Sequence, residues 1–226
     1  MIIQKYGITL KRLKEADIEL VRLKRNSSDI SDRMQYREVI SEDMQVKWFH
    51  SINTIHHNYF IVYHNDQKIG LVNGKNSNYE KRESEGGMFI WEKKYWGTVI
   101  PAMCSVIMTD FTFLINHFER NYIKILRSNQ NAISYNRQLG YITTEDFPSD
   151  EEMQWYLLTR ENYLDKIVKL RKGIKNITGD DEPLTSDDIS FKDDTEEELN
   201  LLYKPLPDFV KETVNCILHR ENRYSL

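Results

Sequence analysis

The stretch from Asn121 to Tyr141, NYIKILRSNQNAISYNRQLGY, constrains the chain most, because it holds a strand, a turn and a helix with both ends marked. Tyr122, Ile123, Ile125 and Leu126 form the apolar core of a short buried strand, and Ser128, Asn129 and Asn131 supply turn and helix N-cap chemistry. Gly140 closes the helix, since a left-handed residue after the last turn costs least for glycine. Such a unit belongs to α/β proteins in general; its internal spacing is more informative than its elements.

The rest of the chain arranges itself around this unit. Ile8 to Leu13 alternates as a half-buried strand does, and Lys14 to Asn26 places Ile18, Leu20, Val21 and Leu23 at helical spacing. Ser27 to Tyr36 is polar, a loop or a broken helix. Ser41-Glu42-Asp43-Met44 starts a helix with a serine N-cap and acids in its first turn, and Val46, Trp48, Phe49 and Ile52 form its buried stripe. Asn58 to Tyr63 and Lys68 to Asn73 predict a hairpin across His64-Asn65-Asp66-Gln67, and Gly87 to Trp91 adds a third strand. After Tyr141, ITTEDF and MQWYLLT predict two last strands joined by a turn at Pro148-Ser149-Asp150, and Glu161 to Lys175 predicts a basic amphipathic helix.

Composition then narrows the function classes the sequence supports. A net charge of −4 provides no general basic field for nucleic acid. From Asp180 to Glu198 ten acids stand against Lys192 alone, so that segment carries about −9 and the remainder about +5, a surplus that favours an anionic cofactor. The acidic run predicts a solvated linker, 176–198, between a domain at 1–175 and a helical extension at 199–226. Gly97 to Phe118 is apolar but interrupted by Pro101, Asp110 and Asn116, so it predicts a buried helix rather than a membrane span. The first residues reach charge too soon for a signal peptide, and Cys104 and Cys216 predict reduced thiols of a cytoplasmic protein. The adjacent His56-His57 pair is a poor chelate, and no metal pattern or GxSxG occurs.

Asn129, Ala132, Gly140 and Tyr141 match N-x-x-A-x-x-x-x-x-x-x-G-[FY]. On this motif the chain resembles the GNAT acetyltransferase superfamily over roughly Ile8 to Thr159. The resemblance implies an α/β (α+β) fold with a mixed, mostly antiparallel central sheet flanked by helices, followed here by the C-terminal extension. It implies acetyl-CoA as co-substrate, no metal, and a pantetheine arm lying where two strands diverge. The family's pyrophosphate pattern [QR]-x-x-G-x-[GA] falls on Trp96-Gly97-Thr98-Val99-Ile100-Pro101, where Val99 replaces a glycine and Pro101 lacks an N–H. Lys93 and Lys94 are placed to supplement the contacts.

Carried over by this resemblance, the cofactor-binding residues are Phe89, Ile90, Trp91, Trp96, Gly97, Thr98, Val99, Ile100, Asn129, Ala132 and Asn136. Glu85 resembles the acid that serves as base in several branches, and a strand N–H near Phe89 to Trp91 would hold the oxyanion. Where many members carry a proton-donating tyrosine, this chain has Asn136, with Tyr135 one place and about 100° away on the helix wheel. Thiolate departure is thus left to Tyr135, to a water, or to no acid at all, since a thiol with a pKa of about 8.5 is a tolerable leaving group.

The segment from Ile40 to Phe49, with Tyr59 to Val62 and Lys68 to Gly70, is similar to members encoded with surface-polysaccharide pathways. That implies a small-molecule amine, an amino sugar nucleotide first. Asp110-Phe111-Thr112-Phe113 resembles the ribosomal-protein N-terminal branch. Asn136, Val99 and Pro101 favour a third alternative, an inactive interaction protein. The aromatics Tyr36, Trp48, Trp91 and Trp155 are candidates for stacking on an acceptor. The reading includes a homodimer and excludes nucleic-acid and membrane partners.

Overall fold

A computed structural model describes every residue except Ser149 and Ser225, so the predicted turn at Ser149 lies outside the described residues. Chain reversals set the register of the first strands. β1 (Ile2–Lys5) and β2 (Ile8–Arg12) are joined through Tyr6 and Gly7, both at positive φ, and β3 (Asn58–His64) and β4 (Gln67–Asn78) through Asn65 and Asp66, again both positive. Two-residue turns of this hand match the twist of the strands they join. β5 (Glu83–Ile90), β6 (Arg120–Leu126), β7 (Ile142–Thr143), β8 (Met153–Thr159) and β9 (Ile189–Ser190) complete a sheet of order β7-β8-β6-β5-β4-β3-β2-β1-β9. Its neighbours are antiparallel except β5 and β6.

Helices cover both faces. On one face α1 (Ile18–Asn26), the single turn α2 (Ser28–Ser31) and α3 (Glu42–Ile52) bury Ile18, Val21, Phe49 and Ile52 against Tyr59, Ile61, Leu71 and Trp91. On the other lie α4 (Ile100–Asp110), continued by a π-helical turn at Phe111–Ile115, then α5 (Gln130–Leu139) and α6 (Arg160–Thr178). The apolar stretch 97–118 is therefore core, and among the described residues no helix is long and apolar enough to cross a membrane. Cys104 is fully buried, which pushes its thiol up to about 12.

Two expectations are corrected. ITTEDF yields only the two-residue β7, because Glu145 to Phe147 bend away and Phe147 packs on Trp155 instead. The acidic run is docked rather than solvated. Its β9 pairs antiparallel with β1, Leu184 and Phe191 are buried, and its carboxylates meet lysines of the first strands: Asp180 and Asp188 with Lys5, Asp193 with Lys11, Glu198 with Lys14. Helices α7 (Glu196–Leu202) and α8 (Asp208–Arg220) then bury Leu199, Leu202, Val214 and Ile217 in the same core. Inside, Asp110 accepts from Arg171 at 2.5 Å, from the Tyr163 hydroxyl at 2.6 Å and from the Leu184 N–H at 3.1 Å, which ties α4, α6 and the tail together.

Candidate active site

β5 and β6 are paired only at Glu83 to Gly86 with Arg120 to Ile123. Beyond that, among the described residues β5 keeps β4 and β6 keeps β8 as its only partner, so the sheet opens into a wedge. Strand alternation fixes which groups face the gap. The Trp91 N–H bonds Ile69 on β4, so Phe89 and Gly87 also turn toward β4 while Met88 and Ile90 turn toward the gap. The Arg127 N–H bonds Glu152 beyond the end of β8, which by the same alternation turns Lys124 and Leu126 toward the gap from β6. The last carbonyl on each side is already taken, Ile90 by the Trp96 indole at 2.8 Å and Leu126 by the Asn129 N–H at 2.8 Å. What remains is two short rails of unpaired N–H and C=O groups, ready for an extended polar chain.

The wedge ends at the loop before α4. Gly97 takes φ +74 there, a conformation a side chain rarely adopts. Among the described residues the N–H groups of Gly97, Val99 and Ala102 find no acceptor, whereas that of Ile100 takes the Thr98 hydroxyl at 3.3 Å. Val99 therefore keeps its donor although it is not glycine, and Pro101, in the first turn of α4, gives up an N–H that would have been orphaned anyway. These donors at a helix N-terminus suit a phosphate. Lys93 and Lys94 do not supplement them: Lys93 pairs with Asp29 at 2.8 Å, and Lys94 donates to Gln67 at 2.7 Å. Arg33 does approach, its guanidinium 4.5 Å from the centre of the Trp96 ring, and with Leu126, Ser128, Asn129 and Gln130 it lines an open pocket of about 260 Å³.

Asn129 caps α5 by accepting the Ala132 N–H at 3.1 Å, and Gly140 ends the helix at φ +104. Tyr135 is not aimed at the wedge. Its hydroxyl donates to the Ala102 carbonyl of α4 at 3.0 Å, and burial pushes its pKa far up. Asn136 donates to its own helix, to the Ala132 carbonyl at 2.8 Å. Trp91 also departs from its expected role, since its N–H and its indole are both committed to β4 and the ring is core. Sequence reasoning missed Met88, which alternation places on the rail between the named Phe89 and the glycine pair.

On the face covered by α1 and α3, Glu85 lies just short of the parting point. Lys75 contacts it at 2.8 Å and the Asn76 amide donates to it at 2.9 Å. His57 accepts the Asn76 N–H at 3.3 Å, and burial first, then His56, Lys75 and Arg12, lower its pKa. Tyr59 carries Trp48 edge-on at 5.2 Å, while across the wedge Phe147 stacks between Tyr122 and Trp155. Tyr36 is exposed on the segment 28–37, which bridges the two sides: Asp29 to Lys93, Arg33 to Trp96, Gln35 to Lys124 and Arg37 to Glu152. The site is thus a backbone cleft on one side and an aromatic, charged chamber on the other.

A family model for the acetyltransferase (GNAT) domain matches residues 10–149. No curated protein matches the chain. Among solved structures the fold is shared with the spermidine N-acetyltransferase from Vibrio cholerae in complex with CoA and spermine, at 19% identity and a TM-score of 0.60 over 71% of this chain and 99% of that one. A dodecameric structure of the same Vibrio cholerae enzyme aligns at 17% identity, TM-score 0.56, over 71% and 98%. A domain from Methanocaldococcus jannaschii DSM 2661 aligns at 20% identity, TM-score 0.57, over 67% and 97%.

Proposed function

Since the chain belongs to the GNAT acetyltransferase family and is a GNAT-type N-acetyltransferase, we propose that it moves the acetyl group of acetyl-CoA to a primary amine of a small molecule, an amino sugar nucleotide being the first candidate. The observation that carries this reading is the parting of β5 and β6 beyond Gly86 and Ile123. Pantetheine amides lie along the rails of Met88, Ile90, Lys124 and Leu126, and the pyrophosphate meets the N–H groups of Gly97, Val99 and Ala102. Phe89 and Ile100 support the cleft by packing; Thr98 does so by holding the turn through its hydroxyl bond to Tyr95.

The thioester then sits at the closed end, with the amine arriving from the face that carries Glu85. An alkyl ammonium, pKa about 10.4, must lose a proton before it can attack. Glu85 takes that proton directly or through a water. As the C–N bond forms, the carbonyl oxygen becomes an oxyanion that the Met88 N–H, the gap-facing donor nearest the closed end, receives. The C–S bond breaks and the thiolate leaves, to be protonated from solvent. With a thiol pKa of about 8.5 it is a tolerable leaving group without a dedicated acid, which suits a site whose Asn136 cannot donate one and whose Tyr135 is engaged elsewhere.

The amino sugar nucleotide rests on the sequence resemblance at Ile40 to Gly70, and the aromatic walls at Trp48, Tyr59 and Trp155 suit a sugar or base. The solved relative is described as acting on spermidine, so a polyamine is the alternative. Self-association and a cytoplasmic location complete the reading. The test is thiol release from acetyl-CoA with amino sugar nucleotides, spermidine and a ribosomal-protein N-terminal peptide as acceptors. Turnover above hydrolysis with a small amine supports the proposal; turnover with the peptide alone contradicts it.

A further inference from the structure

α1 presents several cations near the site, and most are matched. Arg22 contacts Glu19 at 2.6 Å and Glu42 at 3.5 Å, and Lys24 contacts Glu92 at 3.2 Å. Lys75 and Lys124, on opposite sides of the wedge, are answered by Glu85 and Asp150. Arg25 is different. Its Nη1 is buried without a hydrogen-bond acceptor among the described residues, and its Nη2 reaches the Tyr36 carbonyl at a long 3.4 Å. Its guanidinium stands 5.9 Å from the centre of the Phe89 ring, in the parted stretch of β5 between the two rail residues Met88 and Ile90. Burial lowers its pKa, and no carboxylate among the described residues offsets that.

One nitrogen of this half-buried guanidinium lies out of water without an acceptor, an unsatisfied donor that a bound anion would answer. Its planar donors are shaped for a carboxylate or a phosphate. Resting on the acetyl-transfer reading above, we infer that the acceptor amine carries an anionic group, a carboxylate or phosphate, which Arg25 binds beside Phe89. Arg25 then offers the acceptor a cation with no ion-pair partner among the described residues, which suits an acidic amine and opposes a polyamine, whose own cations would face Arg25 across Phe89.

The experiment compares kcat/KM for matched acceptors: glucosamine against glucosamine 6-phosphate, an amino acid methyl ester against the free amino acid, an amino sugar nucleotide, and spermidine. The account expects the anionic member of a pair to be favoured by about ten- to a hundredfold, with the phosphate pair and the amino acid pair distinguishing the two anions. Arg25→Gln should collapse that ratio through KM, and Arg25→Lys should restore part of it. Calorimetric binding of CoA to each variant reports whether the fold and cofactor cleft survive, so failure of the acetyl-transfer reading shows separately, as absent CoA binding in the unaltered chain. Equal use of charged and uncharged acceptors, a preference for spermidine, or a preference that persists in Arg25→Gln overturns the inference.

Discussion

Asn121 donates its side-chain amide to the Ser84 hydroxyl at 2.9 Å, joining β6 to β5 two residues before the strands part. The same side chain accepts the Tyr141 hydroxyl at 2.5 Å, so the residue after the α5 cap is fastened to the closed end of the wedge. All of this is buried. Asn121→Ala should therefore leave Ser84 and Tyr141 without partners and cost roughly 1–3 kcal/mol for each buried group stranded. Urea denaturation measures this, and a loss indistinguishable from zero would show that the clamp is not holding the wedge.

Glu85 stands on the amine's side of the cleft, and its two oxygens are positioned by Lys75 and Asn76. Glu85→Gln keeps the shape and removes the base. Its kcat should fall by about 10²- to 10⁴-fold while acetyl-CoA affinity is retained. Unchanged turnover would remove Glu85 from the chemistry.

His57 has its pKa lowered from the ordinary 6.5, by burial first and then by His56, Lys75 and Arg12. The fold thus prefers the neutral ring, whose Nδ1 accepts the Asn76 N–H. Its contribution to stability is present above the unfolded-state value of 6.5 and is lost as pH falls below it, where the unfolded chain takes up a proton that the folded chain resists. Melting temperature followed from pH 7.5 to pH 5 should fall less steeply in His57→Gln than in the unaltered chain. Parallel curves would contradict this.

Tyr135 ties α5 to α4 through the Ala102 carbonyl. Tyr135→Phe should cost about 1 kcal/mol of stability and change kcat by less than about threefold, well short of what losing a general acid brings. A hundredfold loss in kcat at an unchanged melting temperature would return Tyr135 to the role that its place in the sequence implies.

The elements themselves were legible because local chemistry marks them. Asn129 and Gly140 bound α5 as their types require, Ser41 caps α3, and Asn65-Asp66 turns the hairpin. Met88 was hidden because the wedge is tertiary: nothing in GMFIW says which strand its N–H groups face until β6 leaves. Arg25 lies among Arg22 and Lys24, alike in sequence, and only the positions of Glu19, Glu42 and Glu92 separate the paired cations from the unpaired one. The acidic run misled through composition alone, since its partners, Lys5, Lys11 and Lys14, lie more than 170 residues away.

The most direct test of the cofactor cleft is calorimetric titration with acetyl-CoA of the unaltered chain, Met88→Pro and Phe89→Pro, alongside their melting temperatures. Proline removes an N–H that faces the gap at Met88 but one committed to β4 at Phe89, where it should cost stability first. Micromolar binding by the unaltered chain, lost in a folded Met88→Pro, is the predicted result. No binding at millimolar acetyl-CoA, or full affinity in Met88→Pro, would contradict the placement of the cofactor between β5 and β6.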